Sequence, residues 1–197
     1  MGRTAKVLRY TAFTLMTLFG VVGGLFVAGE AFDALETWLA LTSTALWLLP
    51  MVALSVFALR WPDTAAPVLV GLAVVAGLVS VLDAAFHVFA IDAFGPVVAI
   101  GVFAVAVSLG FLGLHREALS GLLLVFLGVA QFLATVLSHS VGADQGPGPR
   151  VSDLLMSSSG VLIVPMVVVG LLYLAAGALD HEPPGLRHVG PRTRAAH

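Results

Sequence analysis

Residues 65–86 read AAPVLVGLAVVAGLVSVLDAAF, a run whose single ionisable side chain, Asp83, stands near its end. At 1.5 Å per residue such a run reaches roughly 33 Å as a helix, enough to cross about 30 Å of hydrocarbon. Five more runs of the same character lie at residues 10–29, 38–59, 94–114, 118–138 and 154–179. In lipid a lone crossing segment satisfies its backbone only as a helix, so the sequence predicts an all-α integral membrane bundle of six transmembrane helices over 1–179. Residues 180–197, with Pro183-Pro184-Gly185 and Pro191, read as a disordered tail.

Composition agrees and narrows the function classes. The chain of 197 residues is 59% hydrophobic and only 10% charged, with a mean hydropathy of +1.06, which places it outside soluble domains. The pieces between runs are too short for a soluble catalytic or nucleotide-binding domain, so any chemistry must sit among helices or in short loops. Net charge is −2 and no basic patch exists, which argues against nucleic acid as a partner. Cysteine is absent, removing disulfides, thiolate nucleophiles and Cys-ligated metals together. The Ala, Val, Gly, Leu and Arg bias points to a prokaryotic plasma membrane. The first run is too long for a signal-peptide core and reads as a retained anchor.

Basic residues set an expected orientation. Arg3, Lys6 and Arg9 precede the first run, Arg60 follows the second, Arg116 the fourth, and Arg187, Arg192 and Arg194 lie in the tail; Arg150 alone falls on the other side. The positive-inside bias therefore predicts both termini in the cytoplasm. Arg60-Trp61-Pro62-Asp63-Thr64 and His115-Arg116-Glu117 are turns short enough to force antiparallel hairpins. Pro62 and Pro67 suit the first turn of a helix, and Trp61 suits the interface.

Gly20 and Gly24, with Gly23 beside them, form a small-xxx-small surface expected to meet another helix closely. Pro50 and Pro165 interrupt the second and sixth runs, either as tolerated kinks or as breaks framing a site. Leu59–Leu82 aligns without gaps on Leu114–Leu137, a pattern compatible with hairpin duplication.

Gly29-Glu30-Ala31-Phe32, Leu49-Pro50 and Leu59-Arg60-Trp61-Pro62 resemble a family of short prokaryotic multipass proteins described as permease-like, over about the first 80 residues. The resemblance implies an integral membrane protein and carries over no catalytic residue.

The expected topology gathers Glu30, Asp33, Glu36, Asp83, His87, Asp92, His139, Asp144 and Asp153 at the outer interface. Asp83 and His87 are four apart and stack on one helix face; Glu30, Asp33 and Glu36 share a face if the first helix runs past Gly29. Carboxylates with imidazoles are the ligand set for a divalent metal such as zinc or manganese, and equally a proton-relay set. Glu30, Asp83, His87 and His139 are therefore the candidate catalytic residues, with Asp83, His87 and His139 as metal ligands. The plainer account is that outer loops poor in Lys and Arg carry acids by default, and that Asp153 is an N-cap. Deeper in the membrane Gln131 is the only amide, joined by Ser and Thr hydroxyls, and no ionisable group stands mid-span. No cofactor is expected beyond a divalent metal at that site. The functional expectation is a small permease-like or membrane-scaffold protein whose partners are the lipid bilayer and another helix or a second copy. The alternative is an intramembrane enzyme with an outer-face acid/His site, hydrolysing a lipid with a metal or cyclising an isoprenoid.

Overall fold

A computed structural model describes residues 3–34, 36–86, 95–141 and 158–180, with side chains described except at 26–34, 43, 95–99, 139–141 and 158–161. The described residues form helices α1 (Arg3–Ala34), α2 (Thr37–Arg60), α3 (Pro62–Phe86), α4 (Gly95–Leu112), α5 (Glu117–Val141) and α6 (Ser158–Asp180). Five of them, all but α4, are long and apolar enough to cross a membrane. With 18 residues, α4 is the shortest, about 27 Å long.

Helix ends differ from the apolar runs where polar residues continue a helix that lipid solubility alone would have stopped. α1 begins at Arg3, so the basic segment is helical, and it runs through Glu30 and Asp33 to Ala34. Glu36 lies outside it, at the N-cap of α2 in extended conformation, so the expected three-acid face reduces to Glu30 and Asp33. Pro62 opens α3, where its missing amide costs nothing; Pro67 stands in the second turn and not, as expected, in the first. α2 and α6 continue as helices through Pro50 and Pro165.

The packing order explains why α4 is apolar on every side. It contacts each of the other five helices, which close a ring around it in the order α1, α2, α3, α5, α6 and back to α1. Val102 to Leu109 are buried without interruption, including Phe103, Val105, Val107 and Leu109. A helix hydrophobic all round belongs in the interior.

The ring helices invert the soluble pattern. α3 turns Ala65, Ala66, Leu69, Ala73, Gly77 and Ser80 inward while Val68, Leu72, Val75 and Leu78 are exposed. On α1 the buried positions are Ala5, Ala12, Met16 and Gly20, and Leu15, Leu18, Val22 and Leu25 face out. Leu46 at 76% exposure and Phe86 at 72% would each forgo about 1.5–3 kcal/mol of burial in water, whereas acyl chains solvate them well. Small residues inward let backbones approach, which is how helices associate where lipid removes the hydrophobic drive between them.

Two glycine-rich interfaces show different solutions. Between α5 and α6 the backbones touch: a Cβ at Gly121 would lie 2.7 Å from the Gly170 carbonyl oxygen, and one at Gly170 would lie 2.9 Å from that of Gly121. Gly128 receives Val167, and Gly177 rests on Ala118, extending the contact along both helices. The Gly20/Gly23/Gly24 surface does meet other helices closely, but through side chains: Val107 and the Phe103 ring of α4 lie over Gly20 and Gly23, and the Trp47 ring of α2 over Gly24.

Candidate functional site

The backbone places Glu30, Asp83 and His139 near the C-terminal ends of α1, α3 and α5, at one end of the bundle. Asp83 is half-buried in the last turn of α3. His87 lies outside the described residues, as do the side chains of Glu30 and His139. α3 and α5 pack along one another, whereas α1 packs on α2, α4 and α6, so Glu30 stands on a helix that is not a ring neighbour of the other two. Among the described residues no group of three or more His, Asp or Glu is arranged to hold a metal ion.

The densest polar cluster is at the opposite end, and it is built around the C-terminus of α4. The last four carbonyls of a helix have no intrahelical partner, and at the centre of a bundle water does not reach them. Each finds a donor here. The Leu109 carbonyl accepts from the Gly113 amide at 2.9 Å and from the Ser120 hydroxyl on α5. Gly110 accepts from the Tyr173 hydroxyl on α6 at 2.6 Å. Phe111 accepts from the Leu114 amide at 3.3 Å, and Leu112 from the amides of His115 and Arg116, both at 2.9 Å.

Arg9 extends this cap from α1. Spaced with Ala5, Ala12 and Met16, it faces inward, donates to the Leu114 carbonyl at 3.3 Å and pairs with the Glu117 carboxylate at 2.8 Å. Both side chains are largely buried, at 14% and 8% exposure. Glu117 opens α5, where the positive end of the helix dipole also favours its charge. Tyr173 lays its ring against Gly113, where a Cβ would collide with it. Outside this cluster, Arg116 and Asp63 pair at 2.6 Å across two turn tips, in an exposed contact that contributes little.

Among the described residues the deeper polar groups form local pairs and no continuous path. Gln131 on α5 donates to the Ser80 hydroxyl on α3 at 2.7 Å, and Ser80 donates to its own helix at Ala76. Ser55 and Ser108 approach to 3.5 Å, but each hydroxyl already donates its one proton to its own helix, at Met51 and Ala104, so that contact binds weakly. The kinks expected to frame a path belong to α2 and α6, which α1 separates in the ring. Thr44 Oγ1 and Asp180 Oδ1, buried without a hydrogen-bond partner among the described residues, lie at opposite ends of the bundle and make no common site.

Sequence reading missed the α4 cap. Arg9 was legible only as a topogenic charge and Glu117 as a turn acid, while Ser120 and Tyr173 gave no signal by spacing. No protein-family model, curated protein or solved structure matches this chain.

Proposed function

We propose that this protein is a small non-catalytic membrane scaffold, embedded in a prokaryotic plasma membrane with both termini in the cytoplasm. The observation that supports it is the axial position of α4. A transporter needs a polar or opening route between helices, and the centre of this ring is filled by Phe103, Val105, Val107 and Leu109, with Ser108 as the one polar side chain among the described axial residues. The polar investment lies in a cap that fixes α4 to α1, α5 and α6, which is the chemistry of a rigid frame. The permease-like resemblance is compatible with this reading as far as it implies a multipass membrane protein.

Solute flux into proteoliposomes tests it. The wild-type chain should pass sugars, amino acids and monovalent ions no faster than protein-free vesicles, and a Phe103→Ala/Leu109→Ala chain that thins the axis should raise only unselective leak. Saturable uptake of any one solute by the wild type rejects the scaffold. A second reading, the acid/His enzyme, draws support from the shared end of Glu30, Asp83 and His139. Stoichiometric zinc or manganese in purified protein, lost on His87→Ala, would favour it; metal-free protein in both cases would end the metal form of it.

A further inference from the structure

Arg9 is held by Glu117 inside the bundle, but the two cations that precede it are not. Arg3 and Lys6 are exposed on the outer face of α1, and among the described residues neither pairs with a carboxylate. With Tyr10 and Thr14 they line an open groove of about 490 Å³, whose remaining lining includes Val7 and Leu15. Tyr10 is 59% exposed and stands one turn beyond Lys6, and the guanidinium of Arg9 lies 5.7 Å from its ring centre. Further along, Leu18, Val21 and Leu25 continue the same face by helical spacing, and all three are exposed. From Tyr10 to Leu25 the helix rises about 22 Å, more than half of a hydrocarbon core of roughly 30 Å.

A pair of exposed cations, a phenol at the boundary and an apolar stripe that reaches a leaflet's depth describe the outline of a particular molecule. We propose that this groove binds an anionic glycerophospholipid in the leaflet around the N-terminal end of α1. Its phosphate sits between the Arg3 guanidinium and the Lys6 ammonium, the Tyr10 hydroxyl donates to a phosphate or glycerol oxygen, and an acyl chain lies along Leu18, Val21 and Leu25. Charge complementarity selects the lipid class. A phosphatidylglycerol brings an uncompensated negative charge, whereas a phosphocholine brings its own cation close to Arg3 and Lys6. The apolar lining argues against a free phosphate, which gains nothing from Val7 and Leu15. Among the other described cations, Arg116 is engaged by Asp63, and Arg60 ends α2. The proposal rests on the membrane placement of the helices and not on the scaffold reading, so either can fail alone.

The test uses the full-length protein in mixed micelles holding equal amounts of phosphatidylglycerol and phosphatidylcholine with matched chains, with retained lipid read by native mass spectrometry. The wild type should retain phosphatidylglycerol in preference. With each cation near a charged surface contributing about 1 kcal/mol, Arg3→Gln and Lys6→Gln should each lower that preference about fivefold, and the double variant should abolish it. Arg60→Gln should leave it unchanged, and added inorganic phosphate should not displace the lipid. No preference in the wild type, an undiminished preference in the double variant, or an equal loss in Arg60→Gln overturns the proposal. Displacement by inorganic phosphate does so too, by marking a site for a soluble anion.

Discussion

The α5–α6 side of the ring and the α1–α2 side use the same small residues and join their helices differently. On the first, Gly121 and Gly170 bring carbonyl oxygens to where a side chain would stand, and Ser120 and Tyr173 reach across to the carbonyls of α4. On the second, Gly20, Gly23 and Gly24 accept Val107, Phe103 and Trp47, and the polar contact to α4 is the weak Ser55–Ser108 approach. Glycine content alone therefore does not tell how tight an interface is. Backbone against backbone leaves no rotamer to yield, while a ring over a glycine can shift by a few tenths of an ångström.

Four substitutions order themselves along this contrast, below a larger effect at the tie that joins the two sides. There, Glu117→Ala removes the carboxylate that faces the buried Arg9, which should lower unfolding free energy in mixed micelles by about 3–5 kcal/mol. Replacing the pair together, as Arg9→Met with Glu117→Leu, should recover most of that loss, and a double variant as unstable as the single one would show that the pair acts otherwise than by mutual neutralisation. Next, Gly121→Val should destabilise by about 1–3 kcal/mol or more because its Cβ meets the Gly170 carbonyl. Tyr173→Phe strips a donor from the Gly110 carbonyl and should cost about 1 kcal/mol. Gly24→Ala, with its Cβ 3.2 Å from the tip of Trp47, should stay within about 0.5 kcal/mol of wild type once the helix-propensity gain is counted. Equal losses at Gly121 and Gly24, read as thermal midpoints in one detergent, would erase the distinction. The smallest effect is Ser55→Ala: the hydroxyl already bonds to its own helix, so the change should be under about 0.5 kcal/mol, and a loss matching that of Tyr173→Phe would show that Ser55 anchors α2 to α4 after all.

The crossing segments were legible because lipid demands them: an apolar run such as 65–86 admits one structure. Which side of each helix faces in was not, since the usual polar-versus-apolar contrast is missing in lipid. On α3 the buried positions Ala65, Leu69, Ala73 and Gly77, spaced by four and small except for Leu69, stand against the exposed Val68, Leu72 and Val75, and hydropathy does not separate Leu69 from Leu72. The axial place of α4 was equally hidden, because its run reads like the others in composition. Of the candidate site, the sequence placed Glu30, Asp83 and His139 at helix ends of common polarity, which alternating topology dictates. It did not foresee Arg9 and Glu117 meeting, because that pair depends on α1 beginning at Arg3 and on α5 standing two places away in the ring. The alignment of Leu59–Leu82 with Leu114–Leu137 is matched in part by environment. Leu69 and Leu124 are both fully buried and Leu78 and Leu133 both exposed, whereas Leu72 faces out where Leu127 faces in.

The cap on α4 also imposes an order on how the molecule is made. A chain emerges from the ribosome from its N-terminus, and the helix destined for the middle is fourth of the six described. Two of the donors that satisfy its final carbonyls, Ser120 and Tyr173, belong to segments synthesised later. Until Tyr173 has been made, the Gly110 oxygen lacks that donor, so the last of the described helices to be synthesised is the one that locks the centre in place.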